Sequence, residues 1–176
     1  MRTRCLVAVP LLAVVFGVAS LAAPAGAAKK ALPDACAAVT QADVTAAFAK
    51  LDASLQPVGD VSEPTRSKPT SQGGFGEHAC ESHMEVPNSV GASVLVSMNP
   101  IVKKYGCPPK GQPGKTVKVS GTKVLVESNP SHPDRTRSVE FTDRGACAFI
   151  EISLSGGSAV VPTSAFLDLA KAALAK

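Results

Sequence analysis

Cys36, Cys80, Cys107 and Cys147 lie downstream of a segment that reads as an export address, and this combination limits the fold more than any other feature of the chain. An even number of cysteines in a chain bound for an oxidising compartment is expected to close into disulfides, here two. Any fold must then bring two pairs of distant residues within bonding reach. Three pairings are possible, and spacing does not choose among them.

The address is written in residues 1–27. Arg2 and Arg4 give a positive start, residues 6–18 are apolar apart from Pro10 and Gly17, and Ala25-Gly26-Ala27 offers the small-x-small pattern of a signal-peptidase site. The apolar run is too short and too interrupted for a span of about 20 residues. A lipid anchor needs a cysteine just after the apolar core, whereas Cys5 precedes it and Cys36 follows Pro33-Asp34-Ala35. The expectation is a cleaved signal peptide over 1–27 and one secreted domain over 28–176, with no stable membrane span after processing. That length can bury a real core.

Cleavage would remove Arg2 and Arg4 and no acidic residue, so the net charge of +4 falls by two. The remaining charge is too mild for a nucleic-acid surface, which also wants stacking aromatics. Tyr105 is the single tyrosine, there is no tryptophan, and Phe48, Phe75, Phe141, Phe149 and Phe166 complete the set downstream of the signal.

Periodicity supplies the elements. Thr40 as cap with Asp43 in the first turn begins a helix, whose Val44, Ala47, Phe48 and Leu51 form one apolar face. Residues 52–77 are polar and rich in Gly, Pro and Ser, a long loop with room for one short strand. Residues 93–98 alternate with Val94, Val96 and Met98 on one side, and 115–127 alternate twice around Ser120-Gly121. Val139 and Phe141 share a side of the next strand. Asp143-Arg144-Gly145 is turn chemistry, and Ala148, Ile150, Ile152 and Leu154 alternate after it. Thr163 or Ser164 is expected to cap a closing helix with Phe166, Leu169, Ala170, Ala173 and Leu174 as its stripe. The predicted fold is α+β: an antiparallel sheet with an N-terminal and a C-terminal helix, stapled by disulfides.

The stretch Pro33-Asp34-Ala35-Cys36-Ala-Ala-Val39-Thr40, followed by Asp43-Val44, resembles the start of a family of small actinobacterial envelope proteins of unknown function, which open Asp-Pro-Cys-x-Leu-Leu-Thr before a helix. Their second cysteine sits in a Cys-x-Trp strand, where this chain has Cys80-Glu81-Ser82. They close with a charged-Gly turn, a strand and a helix, as Arg144-Gly145 and residues 166–174 do here. The chain departs from the pattern in lacking the Trp and the lipobox and in adding Cys107 and Cys147. The resemblance implies an extracytoplasmic binding or interaction module with no catalytic residues to carry over. It also implies a Cys36–Cys80 bond, which leaves Cys107 to pair with Cys147.

Two segments carry candidate chemistry. His78-Ala-Cys80-Glu-Ser-His83-Met84 holds soft and imidazole ligands suited to copper or zinc. A disulfide-bound Cys80 is not an ordinary ligand, and a strand places His83 on the opposite side from His78 and Cys80. Residues 101–126 hold Lys103, Lys104, Lys110, Lys115, Lys118 and Lys123 and no acidic residue. Such a segment can attract an anionic polymer, headgroup or acidic protein, or it can guard a sheet edge against pairing.

Enzyme signals are thin. Ser120-Gly-Thr-Lys123 matches Ser-x-x-Lys but lies between strands rather than at a helix start, without Ser-Asp-Asn or Lys-Thr-Gly. Gly73-Gly-Phe-Gly76 lacks the lysine and setting of a phosphate loop, and His132 and Asp134 are near only in sequence. No motif calls for a cofactor. The expected function is a non-catalytic secreted binding domain for an envelope protein or anionic polymer. The alternatives are an extracytoplasmic metal binder using His78, His83 and Met84, and a hydrolase with an unrecognised site.

Overall fold

The computed structural model describes residues 31–66, 79–87, 89–129, 131–156 and 159–176, with only the backbone at 133 and 134. The signal-peptide expectation for 1–27 therefore lies outside the described residues, as do His78 and the 73–76 glycine run.

Among the described residues two short helices come first. In α1 (Ala35–Ala38) the Asp34 side chain accepts from the Cys36 N–H. In α2 (Gln41–Phe48) Thr40 is the cap, as the sequence predicts, and Asp43 caps it in return, a reciprocal pair that the sequence expectation does not include. The Asp43 carboxylate also accepts from the Lys176 ammonium, so α2 is tied to a residue far along the chain. Burial works against the Asp43 charge, but the bonds from Lys176 and Thr40 outweigh it and hold its pKa below the ordinary carboxylate value.

Seven strands follow among the described residues: β1 (Thr65–Arg66), β2 (Ala79–Met84), β3 (Gly91–Pro100), β4 (Lys115–Val119), β5 (Thr122–Asn129), β6 (His132–Asp143) and β7 (Ala146–Ser155). They form one antiparallel sheet in the order β1-β2-β3-β7-β6-β5-β4. The long N-terminal loop does carry one short strand, β1, which pairs with Glu81 and Cys80 of β2.

Two hairpins close through two-residue turns. Ser120 and Gly121 have φ of 49° and 83°, and Arg144 and Gly145 have 46° and 84°. Positive φ at both positions matches the right-handed twist of the strands they join. Arg144 adopts this conformation while its Nε and a terminal nitrogen donate to Asp143 at 3.0 and 2.8 Å, satisfying a buried carboxylate.

The closing helix, α3 (Thr163–Leu174), lies on one face of the sheet and against α2. Its stripe is the predicted one: Phe166, Leu169, Ala170 and Ala173 are fully buried. They meet Val94, Val96, Met98, Val139, Phe141 and Ile150 in one core that also takes in Val44 and Phe48. The predicted cap is corrected. Pro162 occupies the N-cap position, with no side-chain cap bond. Thr163 is already helical, and its hydroxyl is 2.6 Å from that of Thr136, an inter-element partner that sequence spacing does not show.

The disulfides are Cys36–Cys80 and Cys107–Cys147, with Cα separations of 5.1 and 5.5 Å. The first joins α1 to β2 on the helix-bearing face. The second lies on the opposite face, because Cys147 alternates with the core residues Ala146 and Ala148. Two such bonds fit an oxidising, extracytoplasmic environment. Among the described residues no helix is long and apolar enough to cross a membrane.

Candidate functional site

No described helix covers the second face of the sheet, so the residues alternating with the core decide what the domain presents there. Register places Glu81 and His83 of β2, Ser97 and Asn99 of β3, Phe149 and Glu151 of β7, Ser138 and Glu140 of β6, and Leu125 and Glu127 of β5 on this side. The connection from β3 to β4 folds over one end of it. Cys107 is fixed there by its bond to Cys147, and the Thr142 hydroxyl donates to the Cys107 carbonyl at 2.9 Å. The tip is closed by Tyr105 N–H to Val102 O at 3.0 Å, Lys110 N–H to Tyr105 O at 3.1 Å, and a Gly106–Pro109 bridge.

Between this connection and the sheet is a cleft of about 330 Å³, lined by Val102 and Tyr105 from above and by Glu140, Cys147 and Phe149 from the strands. Burial pushes the Glu140 carboxyl up to about 7, and the nearby Glu127 charge adds to the effect. Glu127 accepts from the Ser138 hydroxyl at 2.8 Å through one oxygen, while its other oxygen is buried with no partner among the described residues.

The lysines surround this end of the domain without forming one cluster. Lys103 and Lys104 are exposed on the tip, with the Lys104 ammonium 5.3 Å from the Tyr105 ring centroid. Lys110 is exposed just beyond. Lys115 and Lys118 lie on β4, an edge strand, and Lys118 is directly paired with Lys123 of β5. Alternation puts Lys118 and Lys123 on the helix-free face with Leu125, and Lys115 on the other. Among the described residues no carboxylate pairs with any of the six.

The metal-binding alternative is not assembled by the described strand. Cys80 is in a disulfide, and Met84 is buried at 4% exposure with the core, whereas His83 projects from the opposite face into solvent. His83 Nε2 is 3.9 Å from a Glu81 oxygen. Among the described residues no three metal-ligating groups gather. Met84 is thus a packing residue, placed there by the two-residue strand period. A larger open groove of about 770 Å³ runs beside it, lined by Val58, Asp60, His83, Glu85 and Val90 among others.

Of the enzyme signals, Ser120 sits in a hairpin turn and Lys123 on the following strand, which separates Ser-x-x-Lys from the helical setting it needs. His132 begins β6 opposite Asn129. The cleft itself has no signature in the sequence. Glu140 and Phe149 occupy outward positions of alternating strands, and only the fold of a Gly- and Pro-rich connection over them makes a recess.

No protein-family model matches this chain, and no curated protein or solved structure matches it. The resemblance to the envelope family rests on the cysteine-bearing start, the place of Cys80, and the closing turn and helix alone.

Proposed function

We propose that the chain is a secreted, non-catalytic binding domain that takes an anionic component of the cell envelope on the lysine-bearing end of its sheet. The observation that carries this reading is the Lys118–Lys123 pair. The two lysines are directly paired across the ladder, and among the described residues no carboxylate forms an ion pair with either, an arrangement that by itself destabilises a sheet. Edge protection accounts for Lys118 on β4, but Lys123 lies on β5, which is paired on both sides. An external anion bridging the two would relieve their repulsion. The exposed Lys103, Lys104 and Lys110 of the β3–β4 connection extend the positive field to a partner longer than a single ion.

The test is association with soluble polyphosphate, measured for the disulfide-intact chain at low and high salt. Binding should weaken steeply with salt, since exposed charges are screened over about 10 Å at 0.1 M. The Lys118→Gln/Lys123→Gln variant should bind more weakly while unfolding at the same or a higher temperature. Unchanged affinity in that variant would return the pair to a purely structural role.

A further inference from the structure

The β3–β4 connection exposes apolar and basic side chains together. Ile101, Val102 and Tyr105 are 36%, 54% and 55% exposed, and Lys103 and Lys104 lie between them in the chain, also exposed. Exposed apolar residues scattered singly need no explanation, but these three fall within five consecutive residues, at and just before one turn. Nor is this a loose loop: the Cys107–Cys147 bond and the Thr142 hydroxyl hold the connection to the sheet, and the Lys110 N–H to Tyr105 carbonyl bond closes its tip.

From this geometry we infer that residues 101–110 dock the domain on an anionic lipid surface, with Ile101, Val102 and the Tyr105 ring entering the headgroup boundary and Lys103, Lys104 and Lys110 on lipid phosphates. The inference rests on the anion-binding reading and names its partner. A soluble polyanion would use the lysines but leave the apolar tip in water. A bilayer interface uses both: apolar side chains enter the acyl boundary, aromatic rings with a polar end settle at headgroup level, and lysines at the surface meet the negative potential. No acidic residue occurs in residues 101–126 to oppose the approach. Lys104, with its ammonium over the Tyr105 ring, keeps charge and ring on one side of the tip.

Tyr105 is the single tyrosine of a chain without tryptophan, so its fluorescence reports on the tip alone. The experiment mixes the disulfide-intact chain with vesicles of phosphatidylcholine, or of phosphatidylcholine with phosphatidylglycerol, and follows co-sedimentation and acrylamide quenching. Binding is expected on the anionic vesicles only, with Tyr105 shielded from acrylamide. Lys103→Gln/Lys104→Gln should lower vesicle affinity about 30-fold, and Ile101→Ser/Val102→Ser about tenfold or more. The serine variant should leave polyphosphate binding unchanged. Vesicle binding that leaves Tyr105 open to acrylamide, or that survives the serine variant undiminished, would overturn the lipid assignment. So would binding of polyphosphate without vesicles, though the anion-binding reading would stand. Failure to bind either would remove both.

Discussion

The Thr142 hydroxyl donates to the carbonyl oxygen of Cys107 at 2.9 Å, so a strand side chain holds the same loop residue whose sulfur is bonded to Cys147. Covalent and hydrogen-bonded restraints converge on one point of the β3–β4 connection. Cys107→Ser/Cys147→Ser is expected to cost about 4 kcal/mol by chain entropy for the 40-residue separation. Thr142→Val should cost only about 1 kcal/mol. Thermal unfolding of the two variants checks the order. The tip should loosen in the first, read as increased quenching of Tyr105 by acrylamide.

Glu140 makes the domain less stable in mild base. Its unfolded value is 4.5 and its native value about 7, so folding takes up a proton between them. The native state carries no penalty below 4.5, loses stability as pH rises from there to about 7, and bears the full penalty above. That penalty is at most about 3 kcal/mol, reduced by the solvent that reaches the half-buried side chain. Glu140→Gln should therefore stabilise the domain at pH 8 and make little difference at pH 4, as denaturant titrations at the two values would show.

Asp43 behaves oppositely. Its native pKa lies below the ordinary 3.8, so its contribution is present above 3.8 and is lost as pH falls through the native value. Asp43→Asn removes the partner of Lys176 and the carboxylate of the capping box, and should cost about 1–2 kcal/mol at neutral pH. The difference from the parent chain should narrow in acid unfolding below pH 3.8.

His83 and Met84 are neighbours in sequence on opposite faces of the sheet. His83→Ala should change stability by less than about 0.5 kcal/mol, whereas Met84→Ala should cost about 2–4 kcal/mol by opening a core cavity. Equal effects of the two substitutions in a thermal melt would contradict this division.

The elements whose own residues determine their shape were legible in the sequence. Thr40 and Asp43 start α2 by bonds within one turn, and the stripe from Phe166 to Ala173 is set by helical period. The β6–β7 hairpin follows from alternation on both sides of Arg144-Gly145. What escaped depends on partners far along the chain. Thr163 contacts Thr136 instead of capping its helix. The cleft at Glu140 needs a connection of Gly and Pro residues to fold over an outward strand face, and alternation describes that face only as polar. The disulfide pairing came from the family resemblance, since spacing left three choices open.

The place of β7 between β3 and β6 has a consequence for the order of assembly. Strands β4 to β7 pair in sequence, each with the next, so this meander can zip through short loops. β3 must wait, because its ten paired positions lie on β7, some fifty residues further on. A chain emerging from its N-terminus holds β2 and β3 as an unfinished edge until Ala146–Ser155 arrives to complete the sheet. Pulse-labelled hydrogen exchange should therefore find amides of β5 and β6 protected before those of β3, and the last side of the sheet to close should be the one made first.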